Sequence, residues 1–172
     1  MKKFFSLSLI ATLISTVLLS QGTMLLRQPS ASKSHIVFVH GDDLWVVDRN
    51  GGDAYRLTSA IGAETNPRIS PDGNWVAFTG QYDGNSDVFI VPIKGGAPKR
   101  LTWHPGNDLV QCWTPDNKSV IFTSGREGYP TANTKFFKVS VNGGTPESVG
   151  IPFGFAGSIS EDAQLMAYQP HA

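Results

Sequence analysis

The 172-residue sequence predicts an all-β fold, a β-propeller repeat array of four-stranded antiparallel blades with about three and a half blades present, an incomplete ring. Three observations predict it. Two different sequence blocks recur at a period of about 44 residues, close to the ~40–45 residues of one propeller blade. The composition combines 18 Gly and 11 Pro with 40% apolar and only 16% charged residues, which suits many short strands joined by many turns. Within each repeat, short β-branched and aromatic runs alternate with tight-turn sequences.

The first block, RISPDGNWVAFTG from Arg68 to Gly80, recurs as CWTPDNKSVIFTSG from Cys112 and, degraded, as SISEDAQLMAY from Ser158. Its markers Ser70, Thr114 and Ser160 lie 44 and 46 residues apart. The second block, DLWVVDRNGGDAYRLT from Asp43, recurs 44 residues on as DVFIVPIKGGAPKRLT from Asp87, and again as KFFKVSVNGGTPESV from Lys135. Two blocks keeping one period define a repeat.

Each unit yields four strands. A first strand ends at Ser-Pro-Asp-Gly or a variant, where Pro presets φ and Gly accepts positive φ. A second follows as NWVAFTG or KSVIFTS, and a third as LWVVD, VFIVP or FFKVS. An Asn-Gly-Gly or Lys-Gly-Gly hairpin turn leads to a fourth, ending in YRLT or KRLT. This places a partial propeller over 27–170, with blades at about 27–58, 67–102 and 109–149 and a half blade at 155–169. HIVFVH, His35 to His40, is the second strand of the first blade.

Residues 1–22 have a different character. Lys2 and Lys3 precede an apolar stretch from Phe4 to Leu19 that ends in small residues, the layout of a secretory signal peptide. At about 16 residues, interrupted by Ser and Thr, the stretch is short of the ~20 needed for a membrane span. The expected location is periplasmic or secreted. An array that stops mid-blade implies a longer natural product or a fragment. Its uncovered blade faces predict poor solubility or self-association.

Composition removes several function classes. Lys plus Arg and Asp plus Glu are each 14, so no basic surplus exists for a nucleic-acid backbone. The single cysteine, Cys112, excludes an internal disulfide and a Cys-based zinc site, and reads as a small buried hydrophobe on an inner strand. Neither G-x-S-x-G nor H-E-x-x-H occurs. His35, His40, His104 and His171 read as structural or solvated, and low charge leaves few carboxylate pairs for acid–base work.

Asp83, Asn85 and Asp87 alternate as in a calcium loop, but Val88 stands where the glycine belongs and no acid follows at the twelfth position. They read as an Asx-rich turn. Asp72 and Asp116, 44 residues apart, read as caps of their own turns. Trp45 and Trp75 are expected in the core, and Trp103 and Trp113 as the better ligand contacts. The loops GAETNP and HPGNDL hold equivalent positions and would line one rim of the ring, the first place to look for threaded peptide. No catalytic residue, cofactor ligand or metal ligand is assigned.

The GDDLWVVDRNGGDAYRLT, ETNPRISPDGNWVAFTG and KRLTWHPGNDLVQCWTPD segments resemble the N-terminal β-propeller of bacterial tricorn protease homologues, and more broadly TolB propeller repeats. The resemblance covers about Arg27 to Pro170. It implies a non-catalytic propeller segment of an exported tricorn-like serine protease, gating or orienting peptides for a core that lies beyond this sequence. A TolB-like periplasmic protein-interaction module is the alternative. The implied partners are peptides or a protein, and the rest of the propeller with its protease core.

Overall fold

A computed structural model describes residues 25–127, 133–151 and 153–170. The segment read as a signal peptide and His171 lie outside the described residues. The described residues form fourteen strands: β1 Arg27–Ala31, β2 His35–His40, β3 Asp43–Asp48, β4 Tyr55–Arg56, β5 Glu64–Ile69, β6 Trp75–Gly80, β7 Asp87–Pro92, β8 Lys99–Arg100, β9 Asp108–Trp113, β10 Ser119–Ser124, β11 Lys135–Ser140, β12 Glu147–Ser148, β13 Gly154–Ile159 and β14 Met166–Pro170. They make three four-stranded antiparallel meanders, β1–β4, β5–β8 and β9–β12, and one two-stranded sheet, β13–β14. The chain is all-β and the array is open, as the repeat predicts.

The repeat chemistry accounts for the turns. Gly73, Asn117 and Ala163 occupy one turn position in three successive units and all take left-handed backbone, with φ of 76°, 61° and 58°. The hairpin glycines Gly51, Gly95 and Gly143 likewise share φ values of 98°, 91° and 95°.

The core lies between sheets. Val37, Val39, Leu44, Val46 and Leu57 of the first blade pack on Val76, Phe78, Phe89, Val91 and Ile93 of the second. At the next interface Ala77, Val88, Ile90 and Leu101 pack on Val110, Trp113, Val120, Phe122, Phe137 and Val139. Strand alternation therefore sends one set of side chains forward and the other back, so each blade is apolar on both faces.

The first strands of successive blades, β1, β5, β9 and β13, are neighbours around one axis. Each carries a ladder irregularity: between Arg27 and Ser30, between Thr65 and Arg68, in β9 opposite Ile121 and Phe122, and between Gly154 and Ala156. β5 begins at Glu64, three residues ahead of the Pro67 at which sequence places the blade. Asn66, at φ 52°, supplies the bulge that lets the strand pass Pro67 and continue.

Candidate functional site: the axial face of the blade array

Where the inner strands end, their last residues surround a cavity of about 560 Å³. Ala31, Arg68, Ile69, Cys112, Trp113, Ser158 and Ile159 line it from the four inner strands, with Lys33, Arg49 and Glu161 at its margin. Three cations face one carboxylate, so the bowl carries positive potential despite a neutral chain.

Cross-strand bonds fix its walls. Arg68 Nε donates to the Gln111 carbonyl at 2.8 Å, and Trp113 Nε1 donates to the Arg68 carbonyl at 2.8 Å. The Ile69 amide donates to Ser30 Oγ at 3.0 Å, and the Gly157 amide to Gln111 Oε1 at 3.3 Å. Arg49 Nη1 donates to the Ser32 carbonyl at 2.9 Å. Side chains of one inner strand thus satisfy backbone groups of the next, replacing ladder bonds that separate blades cannot make. Cys112 is half-buried in this wall, and burial pushes its thiol up, against weaker opposing effects of an Ile159 backbone bond and Arg68. A thiol so placed stays protonated and is a poor nucleophile.

A second polar layer lies between blades, and sequence reasoning missed it. Glu64, Asp87 and Asp108 are all buried. Glu64 accepts from Thr58 Oγ1, from the Leu44 amide at 3.1 Å and from the Tyr82 hydroxyl at 2.5 Å. Burial, helped by the nearby Asp43 carboxylate, raises the Glu64 carboxyl above the usual range despite the three donors, and burial beside Glu64 raises the Tyr82 phenol. Asp87 pairs with Arg100 Nη2 at 2.6 Å and accepts from Thr102 Oγ1 at 3.2 Å, while Arg126 pairs with Asp108 at 2.7 Å. The signal was present in the sequence. Asp43 and Asp87, Arg56 and Arg100, and Thr58 and Thr102 are each 44 residues apart.

The same layer explains the calcium-like loop. Arg100 pairs with both Asp83 and Asp87 at 2.6 Å, so a guanidinium of the chain itself neutralises these carboxylates. Asn85 Nδ2 donates to Asp87 and to the His104 carbonyl, closing the turn. Among the described residues no group of three or more His, Cys, Asp or Glu is placed to hold a metal ion.

Asp72 and Asp116 do cap their own turns. Ser70 Oγ and the Asn74 amide donate to Asp72 at 2.5 and 3.1 Å; Thr114 Oγ1 and the Lys118 amide donate to Asp116 at 2.6 and 3.1 Å. These bonds, led by the hydroxyls, hold both carboxyls below the usual range, and Asp162 repeats the pattern through Ser160. The tryptophans need two corrections. Trp75 is 38% exposed rather than core, because it opens β6 at the turn. Trp113 is 5% exposed, wedged between blades by its bond to Arg68, so only its edge meets the bowl. Trp45 is half-buried and donates to the His40 carbonyl at 3.2 Å, and Trp103 is 65% exposed beside Arg100. His35 and His40 bound β2, while His104 Nδ1 accepts from the Gly106 amide at 3.0 Å inside its loop. The expected rim loops need a correction: Glu64 to Pro67 of GAETNP already belong to β5, Asp108 and Leu109 of HPGNDL to β9, and both stretches lie at the strand starts, on the face opposite the bowl.

Antiparallel four-stranded sheets arrayed side by side, with first strands innermost, define a β-propeller segment of the Ser-Pro-Asp-Gly repeat class. The family model of the tricorn protease N-terminal β-propeller domain matches residues 23–172, and the chain belongs to that family. It is 31% identical over 137 residues to tricorn protease homolog 1 of Streptomyces coelicolor, covering 79% of this chain and 13% of that protein. It is 30% identical over 143 residues to a protein of Sulfurisphaera tokodaii named as a tricorn-like protease N-terminal subunit, covering 80% of this chain and 71% of the relative. Among solved structures, TolB from Acinetobacter baumannii superposes with a TM-score of 0.69 over 84% of this chain and 38% of that one, at 24% identity, which shows a shared fold. The chain therefore spans only a small part of the Streptomyces relative's length. Among the described residues no helix is long and apolar enough to cross a membrane.

Proposed function

We propose that this chain is the non-catalytic N-terminal propeller portion of an exported tricorn-like serine protease, and that it gates or orients peptide substrates for a catalytic core. The observation that carries this reading is the axial bowl of about 560 Å³, walled by inner strands of a chain in the tricorn propeller family. A polypeptide near the axis would meet backbone-stitched walls and three cations, features that position a chain without chemistry of their own. Cys112, the bowl's thiol, is held protonated. The resemblance to TolB supports a second reading, an envelope protein-interaction module.

The test is a pair of measurements on the purified chain. Under the first reading it binds unfolded polypeptide, followed by fluorescence anisotropy of labelled, reduced casein, and releases no new amino termini from it. Turnover by the chain alone overturns the non-catalytic role. Binding to folded envelope proteins but not to casein selects the second reading. Export is tested by intact mass after secretion, which should show loss of about the first 22 residues.

A further inference from the structure

The chain has six arginines, and four of them pair with a carboxylate: Arg27 with Asp42 at 2.8 Å, Arg56 with Asp43 at 2.8 Å, Arg100 with Asp87 at 2.6 Å and Arg126 with Asp108 at 2.7 Å. The other two, Arg49 and Arg68, both line the bowl, and among the described residues neither meets a carboxylate. Both are nevertheless held in place. Arg49 Nη1 donates to the Ser32 carbonyl at 2.9 Å, and Arg68 donates through Nε to the Gln111 carbonyl at 2.8 Å and through Nη1 to the Pro67 carbonyl at 3.0 Å. A carbonyl orients a guanidinium without cancelling its charge, so the N–H groups it does not use stay positioned to meet an anion. Lys33, exposed at the same cavity, is a third cation that pairs with no carboxylate among the described residues.

The blade pattern does not require these cations. The Arg49 amide donates to the Ser34 carbonyl at 2.9 Å just as the Ile93 amide donates to the Asn74 carbonyl at 2.8 Å. Ile93, which is buried, is therefore the counterpart of Arg49, and Gly73 that of Lys33. Ile69 pairs with Val76 where Trp113 pairs with Val120, so the residue ahead of each, Arg68 and Cys112, are counterparts too. Where later blades carry isoleucine, glycine and a thiol, the first blade and the strand beside it carry three positive charges converging on one cavity of about 560 Å³. An apolar or small residue suffices to build the blade at each place, and the charges serve something else.

The rest of the wall indicates what they serve. Ile69, Ile159 and the edge of Trp113 give the cavity apolar surface, and Glu161 stands at its margin. A strand of phosphates would meet that carboxylate as well as the cations. A polypeptide with an acidic side chain among apolar ones matches both kinds of surface, since a guanidinium fork suits the two oxygens of a carboxylate and the isoleucines suit its neighbours.

We propose that the bowl takes an extended polypeptide segment by an acidic side chain, its carboxylate drawn to the Arg49 and Arg68 guanidiniums and Lys33, its apolar neighbours lying on Ile69 and Ile159. The proposal rests on the peptide-handling reading above and names the substrate class of that same site.

The test uses the whole chain and two dansyl-labelled ten-residue peptides with blocked ends, one of Leu and Ala with Glu at every third place, the other with Gln in place of Glu. Binding is read by anisotropy for the parent, for Lys33→Gln with Arg49→Gln, and for Lys94→Gln with Lys118→Gln, which removes the same charge from outside the cavity. Arg68 is left intact because it ties β5 to β9. The expected result is that the Glu peptide binds the parent at least about tenfold more tightly than the Gln peptide, and that the bowl variant loses most of this preference while the control variant keeps it. Circular dichroism should match in all three proteins. Equal binding of the two peptides by the parent, or equal losses in the two variants, overturns the acidic preference while casein binding leaves peptide handling intact. No binding of either peptide or of casein overturns both. Tighter binding of a ten-nucleotide single-stranded DNA than of the Glu peptide assigns the bowl to a phosphate polymer and overturns the proposal.

Discussion

Gln28 and Asn66, equivalent residues on adjacent inner strands, hold each other through a reciprocal amide pair. The Asn66 backbone amide donates to Gln28 Oε1 at 2.8 Å, and Gln28 Nε2 donates to Asn66 Oδ1 at 3.1 Å. Both residues have positive φ, 49° and 52°, so each strand bulges where it meets its neighbour. Two effects are separable here. Asn66→Gly keeps the backbone and removes the side-chain bond, and should cost about 0.5–1 kcal/mol. Asn66→Ala removes the same bond and leaves a Cβ at this left-handed φ without the local polar side chain that lets asparagine occupy it, and should cost about 1 kcal/mol more than the glycine variant. Urea titration of the two variants checks the order; equal losses would remove backbone strain from the account.

Arg100 is the central cation of the layer between the second and third blades. Its guanidinium pairs with exposed Asp83 and buried Asp87, and its Nε donates to the Thr102 carbonyl at 2.8 Å. Arg100→Met leaves the Asp87 charge buried without its partner and should destabilise by about 3 kcal/mol. Asp83→Asn removes only the exposed contact and should cost under about 1 kcal/mol. Because Arg100 already balances these carboxylates, millimolar calcium should leave the parent melting temperature unchanged. A calcium-dependent rise abolished by Asp83→Ala would overturn that assignment.

How far the sequence could be read depended on what the repeat constrains. Ser70, Thr114 and Ser160 mark turns whose chemistry is local, so their positions, the Asp72 and Asp116 caps and the positive φ of Gly73 were legible, while the left-handed Asn117 and Ala163 were not. The faces of the inner strands were not. A bulge shifts a period of two by one residue, and the irregularity in β5 puts Glu64 and Pro67 inside where simple alternation would separate them. Trp113, at the end of the bulged β9, is buried, whereas Trp75 is exposed because it opens β6 at the turn. The buried acids were encoded as paired recurrences of Asp, Arg and Thr, visible only when positions in different repeats are compared as interacting sets.

Glu64 predicts a specific pH dependence. Its carboxyl is raised in the folded state, chiefly by burial, against about 4.3 in an unfolded chain. Between those values the folded protein binds the proton and the unfolded chain has lost it, so stability falls as pH rises through this window. Below it both states are protonated, and the stabilising effect of the proton is complete. Asp72, Asp116 and Asp162 are shifted the other way, and their contribution is lost as pH falls. The difference between the parent and Glu64→Gln isolates the first effect. Melting temperature followed from pH 3.5 to 8 should decline less steeply for Glu64→Gln above pH 4.3, and parallel curves would refute the assignment.

Ala163 tests the turn chemistry where the repeat has degraded. It holds the position that Gly73 fills in the second blade, and its φ of 58° places an alanine Cβ in the left-handed region. The turn survives because Asp162 accepts from Ser160 Oγ at 2.5 Å and from the Gln164 amide at 3.0 Å. Left-handed alanine costs about 1–2 kcal/mol, part of which glycine gives back through its freer unfolded chain. Ala163→Gly should therefore stabilise the β13–β14 hairpin by about 0.5–1 kcal/mol. This hairpin has two strands and one covered face, so it opens locally before the three complete blades do. The gain belongs in the protection of its amides rather than in the global transition. Native-state hydrogen exchange should slow about two- to fivefold at Ala156, Ser158 and Met166 and stay unchanged at Val76 and Phe122. Slower exchange in every blade would instead mean that the hairpin unfolds with the whole array.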